Sequence, residues 1–134
     1  MVRAAGPNVS RAAVGRMLGE TIFVPSMLLV SGAQWESVDG SRARVRMSAH
    51  GEEVAVTLEV NEDGSLRRSS FPRWNGDPKI GPVGYLQFVT ERCSTERTFD
   101  GYTIPTRFES GWCLGEPNEL RFFFGHIERA EYVL

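Results

Sequence analysis

Phe99-Asp100-Gly101-Tyr102-Thr103-Ile104-Pro105-Thr106-Arg107-Phe108-Glu109-Ser110-Gly111-Trp112 is the stretch in which the architecture becomes legible. Asp100-Gly101 can adopt the positive φ angles that a two-residue hairpin turn needs, and strand-favouring aromatic and β-branched residues crowd both flanks. The pattern predicts two long antiparallel strands, Tyr85 to Phe99 and Tyr102 to Leu114, joined at that turn. Gly111 falls inside the second of them, and Gly125 inside a last strand from Leu120 to Tyr132; glycine at such positions marks a bulge or a bend.

Upstream, the same alternation recurs. Gln34 to Val38 reads as a short strand ending at Asp39-Gly40. Ala43, Val45 and Met47 alternate with Arg42, Arg44 and Arg46, and Val54, Val56, Leu58 and Val60 alternate with Ala55, Thr57 and Glu59. Asn61-Glu62-Asp63-Gly64 closes that hairpin, and the chain returns from Ser65 to Phe71. Half-buried strands of this kind belong to an antiparallel sheet with one wet face. Residues 72–82 hold three prolines and two glycines and read as one long loop, an uncommon length that points to a binding or lid element.

The N-terminal part is helical. Asn8 or Ser10 can cap it, and Val14, Met17, Leu18 and Ile22 form one apolar stripe. Gly15 and Gly19 each cost a helix about 1 kcal/mol against alanine, so packing must hold it. Pro25 ends the helix or opens a further turn through Leu29. The expectation is a single mainly β (α+β) domain over 1–134. A helix at about 10–29 packs on a curved antiparallel sheet, or half-barrel, of about seven strands at about 33–134.

Composition narrows the function. With 134 residues and a formal net charge of −2, the chain forms one domain and lacks the basic surplus of a nucleic-acid binder. Cys93 and Cys113 form neither a CxxC pair nor a disulfide framework and read as free thiols of a reducing compartment. No apolar run approaches the roughly 20 residues that span a bilayer. Met1 to Pro7 carries a charge with no apolar stretch behind it, which is no signal peptide and implies a cytoplasmic protein.

Several motifs, in order along most of the chain, carry a family resemblance. Leu18-Gly19-Glu20 with Phe23-Val24-Pro25-Ser26-Met27-Leu28-Leu29 comes first, then Trp35-Glu36 with Asp39 and Ala43. Asp63-Gly64, Arg73 with its glycine-rich surroundings, Gly101-Tyr102-Thr103-Ile104-Pro105 and Trp112 follow. The chain resembles an uncharacterised bacterial family of unknown function whose fold is thought to be that of the Lol-type lipoprotein carriers. The resemblance implies a half-barrel wrapped around helices, with a greasy concave face. Members of that family carry further strands before the helix, so the chain looks like the C-terminal portion of such a protein. An incomplete half-barrel has a free edge, and a homodimer would cover it.

Arg73 and Trp74 form the strongest candidate binding element, because an arginine beside an aromatic ring can hold a polar or anionic head while the ring stacks. Trp35, Trp112, Phe122 and Phe124 are expected to line the concave face with them. Among the carboxylates, Glu109 and Asp39 are the candidates for acid–base work, although Asp39 also suits the first position of a hairpin turn. His50 and His126 lack the spacing of a metal site, and no GxSxG elbow or phosphate loop occurs, so neither metal nor cofactor is expected. Two functions follow. One is binding of a hydrophobic or amphipathic small molecule in the concave face. The other is a small hydrolase or acid–base enzyme in which Glu109 or Asp39 works with Arg73 in the same cavity.

Overall fold

A computed structural model of the protein describes residues 5–30 and 32–133, so the reading of Met1 to Ala4 lies outside them. Seven strands form one antiparallel sheet in simple sequence order: β1 (Gln34–Ser37), β2 (Arg42–Ala49), β3 (Glu52–Val60), β4 (Leu66–Asn75), β5 (Gly84–Phe99), β6 (Tyr102–Trp112) and β7 (Leu120–His126). β1 and β7 do not pair, so the sheet is open. The helix α1 (Pro7–Gly19) and two short 3₁₀ turns, Glu20–Phe23 and Pro25–Leu29, precede it. Among the described residues no helix is long and apolar enough to cross a membrane.

The hairpins follow from turn chemistry. Asp100 and Gly101 take φ angles of 48° and 85°, and Phe99 pairs with Tyr102 across them. In the β1–β2 turn, Asp39 Oδ1 accepts the backbone N–H groups of Ser41 and Arg42, both at 2.9 Å, while Oδ2 accepts from Arg42 Nε. These bonds hold the Asp39 carboxyl down to about 2, the Arg42 side chain contributing most.

The core lies between α1 and the face of β2–β5 that looks toward it. Val45 pairs with Val56 and Met47 with Val54, and all four pack with Phe71 against Val14 and Leu18. Fully burying side chains of this size stabilises by roughly 1.5–3 kcal/mol each. Met17, expected in the helix stripe, is instead 46% exposed. The contact face runs Val14, Gly15, Leu18, Gly19, because the two glycines let the helix backbone approach the Phe71 ring. The helix also starts earlier than either expected cap: Gly6 occupies the N-cap and Pro7 the first turn, where a missing N–H costs nothing.

The expected loop at 72–82 is shorter, since Pro72, Arg73 and Trp74 continue β4 and pair with Gln87, Leu86 and Tyr85. The β3–β4 pairing stops at Thr57–Ser70, so Pro72 sits where β4 has no partner on that side to receive an N–H. The last strand is likewise shorter than expected, ending at His126.

Candidate functional site

Strand alternation separates the residues of the sheet into two sets. Phe71, Phe88 and Trp112 occupy equivalent positions on β4, β5 and β6 and share the face toward α1; Ser69, Thr90, Ser110 and Phe123 form the next row. Between this face and α1 lies a cavity of about 510 Å³, bounded by Arg16, Gly19, Glu20 and Phe23 on the helical side and by Phe71, Arg73, Phe88, Phe108, Trp112, Phe122 and Phe123 on the sheet side. Ile80, from the loop after β4, borders it too. That loop is held by buried Asn75, whose Nδ2 donates to the carbonyls of Asp77, Gly81 and Pro82.

The aromatic rings form a connected wall. Phe88 contacts Trp112 edge-on with centroids 5.4 Å apart, Phe71 at 5.7 Å and Phe122 at 6.1 Å. Phe108 lies between Phe23, at 4.7 Å, and Phe123, at 6.0 Å. The Thr90 and Ser110 hydroxyls, which also border the cavity, share one hydrogen bond of 2.8 Å.

Arg73 is the charged group set into that wall. Its guanidinium carbon lies 4.9 Å from the Phe88 ring centroid and 5.3 Å from that of Trp112. The buried Nε finds no hydrogen-bond acceptor, and among the described residues no carboxylate lies within ion-pair distance of Arg73. Burial lowers its pKa, Arg16 lowers it further and Glu20 acts in the opposite sense. An arginine keeps its proton under such pressure, so the cavity wall carries a positive charge. Glu20 is engaged by Arg16, whose Nε lies 2.8 Å from its carboxylate.

The structure brings Arg73, Trp112 and Phe122 together and puts the other expected residues elsewhere. Trp74 alternates with Arg73 along β4 and so points to the opposite face, where its ring meets Tyr85 edge-on at 5.4 Å. Trp35 anchors the second 3₁₀ turn through Nε1, which donates to the Leu28 carbonyl at 3.0 Å. Phe124 is 67% exposed and pairs with Glu109 on the face away from α1. A bulge explains it. β6 runs on from Ser110 to Gly111 while β7 skips from Phe123 to Arg121, so Phe122 is the additional residue and both Phe122 and Phe123 border the cavity.

Neither candidate base lines the cavity. Glu109 belongs to an ion-pair row on the far face, 2.5 Å from Arg121 and 3.1 Å from Arg92. Asp39 is used by its turn. The carboxylate beside Arg73 is Glu20, and the i,i+4 spacing of Arg16 and Glu20 on one helix face was the available signal for it. Burial, with Glu96 near it, pushes the Cys93 thiol up to about 11, a poor nucleophile at neutral pH. Among the described residues, no three His, Cys, Asp or Glu side chains gather as a metal site would require.

An open antiparallel meander with a covering helix and an aromatic cavity defines the class of protein at the level of fold and site. The chain belongs to the family of unknown function DUF6920, which it matches over residues 1–132. No curated protein and no solved structure matches it.

Proposed function

We propose that the cavity between α1 and the sheet binds a hydrophobic or amphipathic small molecule. The observation that carries this reading is the aromatic-walled space of about 510 Å³, which the chain's own side chains leave open. Ligand sites are concave, mostly apolar and of about 300–1,000 Å³, with a few polar groups that fix orientation. Seven aromatic rings and a guanidinium that has no ion-pair partner among the described residues meet that description, and the carboxylate of the lining, Glu20, is paired with Arg16. On this reading the open sheet and its helix act as half of a carrier-type barrel, as the resemblance to lipoprotein carriers implies.

Titration with the neutral fluorophore N-phenyl-1-naphthylamine tests it. The expected result is saturable one-to-one binding, displaced by medium-chain alkanols. A linear, non-saturating rise in fluorescence would exclude a defined apolar site.

A second copy of the chain is the proposed cover for β7. Among the described residues this edge strand has no outer partner, and it presents Phe122, Phe123 and Phe124, all at least half exposed. Apolar edges of this kind are normally covered or charged. Light scattering across a dilution series decides: a folded monomer at all concentrations removes the dimer.

A further inference from the structure

We infer that the ligand of this cavity is a single-chain amphipath whose head carries one negative charge, held by Arg73. The inference rests on the cavity being a ligand site and adds the chemistry of the head.

Three features of the wall point to it. Arg73 borders the cavity with its guanidinium carbon over the Phe88 and Trp112 rings, its buried Nε has no acceptor, and among the described residues no carboxylate lies within ion-pair distance of it. A guanidinium has five donors arranged as a fork that fits an oxyanion. The second feature is the charge count. Arg16, Glu20 and Arg73 are the ionisable groups of the lining, so the cavity carries one net positive charge. The third is the ring wall itself. Phe88, Trp112 and Phe122 continue from the guanidinium along the sheet, toward Phe123 and Phe108, an apolar track that a chain attached to the head would follow.

A cationic head would face Arg73 across apolar surroundings, where like charges repel strongly. A neutral head would give the guanidinium, its buried Nε–H included, only the weaker hydrogen bonds of an uncharged acceptor. A free small anion would gain the fork but none of the apolar contact that dominates burial in such a site. Only the anionic amphipath uses both parts of the wall. Glu20 opposes the head, and Arg16 offsets that opposition through its ion pair.

Displacement of N-phenyl-1-naphthylamine by four competitors at neutral pH tests this: dodecanoate, dodecanol, dodecyltrimethylammonium and acetate. Dodecanoate should compete about 10-fold or more better than dodecanol, the range of one or two charge-assisted hydrogen bonds. Dodecyltrimethylammonium should be the weakest of the chain-bearing three, and acetate should not compete at millimolar concentration. Arg73→Met should remove the preference for dodecanoate while retaining dodecanol and fluorophore binding, which also reports that the variant is folded. Glu20→Gln should tighten dodecanoate a few-fold and leave dodecanol unchanged. Equal competition by dodecanoate and dodecanol in the wild type overturns the anionic head and leaves the apolar site standing. Competition by acetate as strong as that by dodecanoate overturns the amphipath. Failure of the fluorophore to bind at all overturns the cavity as a ligand site, and this inference with it.

Discussion

A Cβ placed on Gly19 would lie 2.1 Å from Cε1 of Phe71, so the N-terminal helix meets the sheet by pressing bare backbone onto an aromatic ring. Phe71 is buried and backed by Phe88, with centroids 5.7 Å apart, so the ring can give way only sideways into the cavity it borders, at the cost of that packing. At Gly15 the same construction comes no closer than 3.4 Å to the ring. Helix propensity alone gives both glycines the same gain on conversion to alanine, about 1 kcal/mol. The packing separates them. Gly15→Ala should be neutral to stabilising by up to about 1 kcal/mol, and Gly19→Ala should destabilise by about 1–3 kcal/mol through overpacking. Urea unfolding of the two variants checks this, and equal effects would mean that α1 does not sit on Phe71 in this way.

Trp112 is 6% exposed, touches Phe88 and lies beneath the Arg73 guanidinium. Truncating such a side chain leaves a cavity that the neighbouring rings cannot close, so Trp112→Ala should lose about 3–5 kcal/mol. Trp35 makes the useful comparison, being half exposed and tied down by one hydrogen bond to Leu28. Trp35→Ala should lose only about 1 kcal/mol. Similar midpoints for the two variants would contradict the placement of Trp112 in the core.

Asp39 supplies a pH test. Its carboxyl is held at about 2 in the folded protein, against about 3.9 for an ordinary aspartate. As the pH falls, the unfolded chain takes up this proton first, so unfolding is favoured over that interval. The stabilisation from the Asp39 charge is therefore complete above about pH 4 and is lost as the pH falls toward 2. Asn at this position can still accept the turn's N–H groups but cannot carry the charge. The wild type should be more stable than Asp39→Asn at pH 6, with the gap closing between pH 4 and 2. A constant gap across that range would show that the turn geometry, and not the charge, is what Asp39 provides.

The strands that alternate cleanly, β2 and β3, and the Asp100-Gly101 turn were legible because one period and one turn type account for them. The site was less so, for two physical reasons. Proline reads as a strand breaker unless the missing partner on one side is known, and that knowledge depends on where β3 stops pairing. Hence Arg73 and Trp74 read as one loop element, whereas strand alternation sends them to opposite faces. The second reason is the β6–β7 bulge. Alternation groups Phe122 with Phe124, and one additional residue moves Phe124 away from the cavity and lets Phe122 and Phe123 share it. Gly111 signalled the irregularity, since a Cβ there would meet the Leu120 carbonyl, but not its consequence for the rings. The helical side of the cavity, Arg16 and Glu20, could be placed only once α1 was oriented on the sheet.

The far face of the sheet holds its own charge arrangement. Glu91 and Glu109 are direct cross-strand partners on β5 and β6, a pairing of like charges that destabilises a sheet when left alone. Arg121 on β7 reaches between them, 2.6 Å from Glu91 and 2.5 Å from Glu109, with its side chain only 16% exposed. Arg68 and Arg92 complete the row from either side, at 3.1 Å each. Arg121 therefore ties the last strand to the two before it by neutralising a repulsion that the sheet's own register creates. Arg121→Met keeps much of the apolar stem and removes the charge. It should destabilise the protein by about 1–3 kcal/mol, between the values for exposed and buried pairs. Adding Glu109→Gln to that variant removes the repulsion and should recover a substantial part of the loss, giving a clear coupling in a double-mutant cycle. Raised salt should narrow the difference between the wild type and Arg121→Met, because the row borders solvent. Additive effects of the two substitutions in urea unfolding would show that Arg121 holds β7 by packing alone.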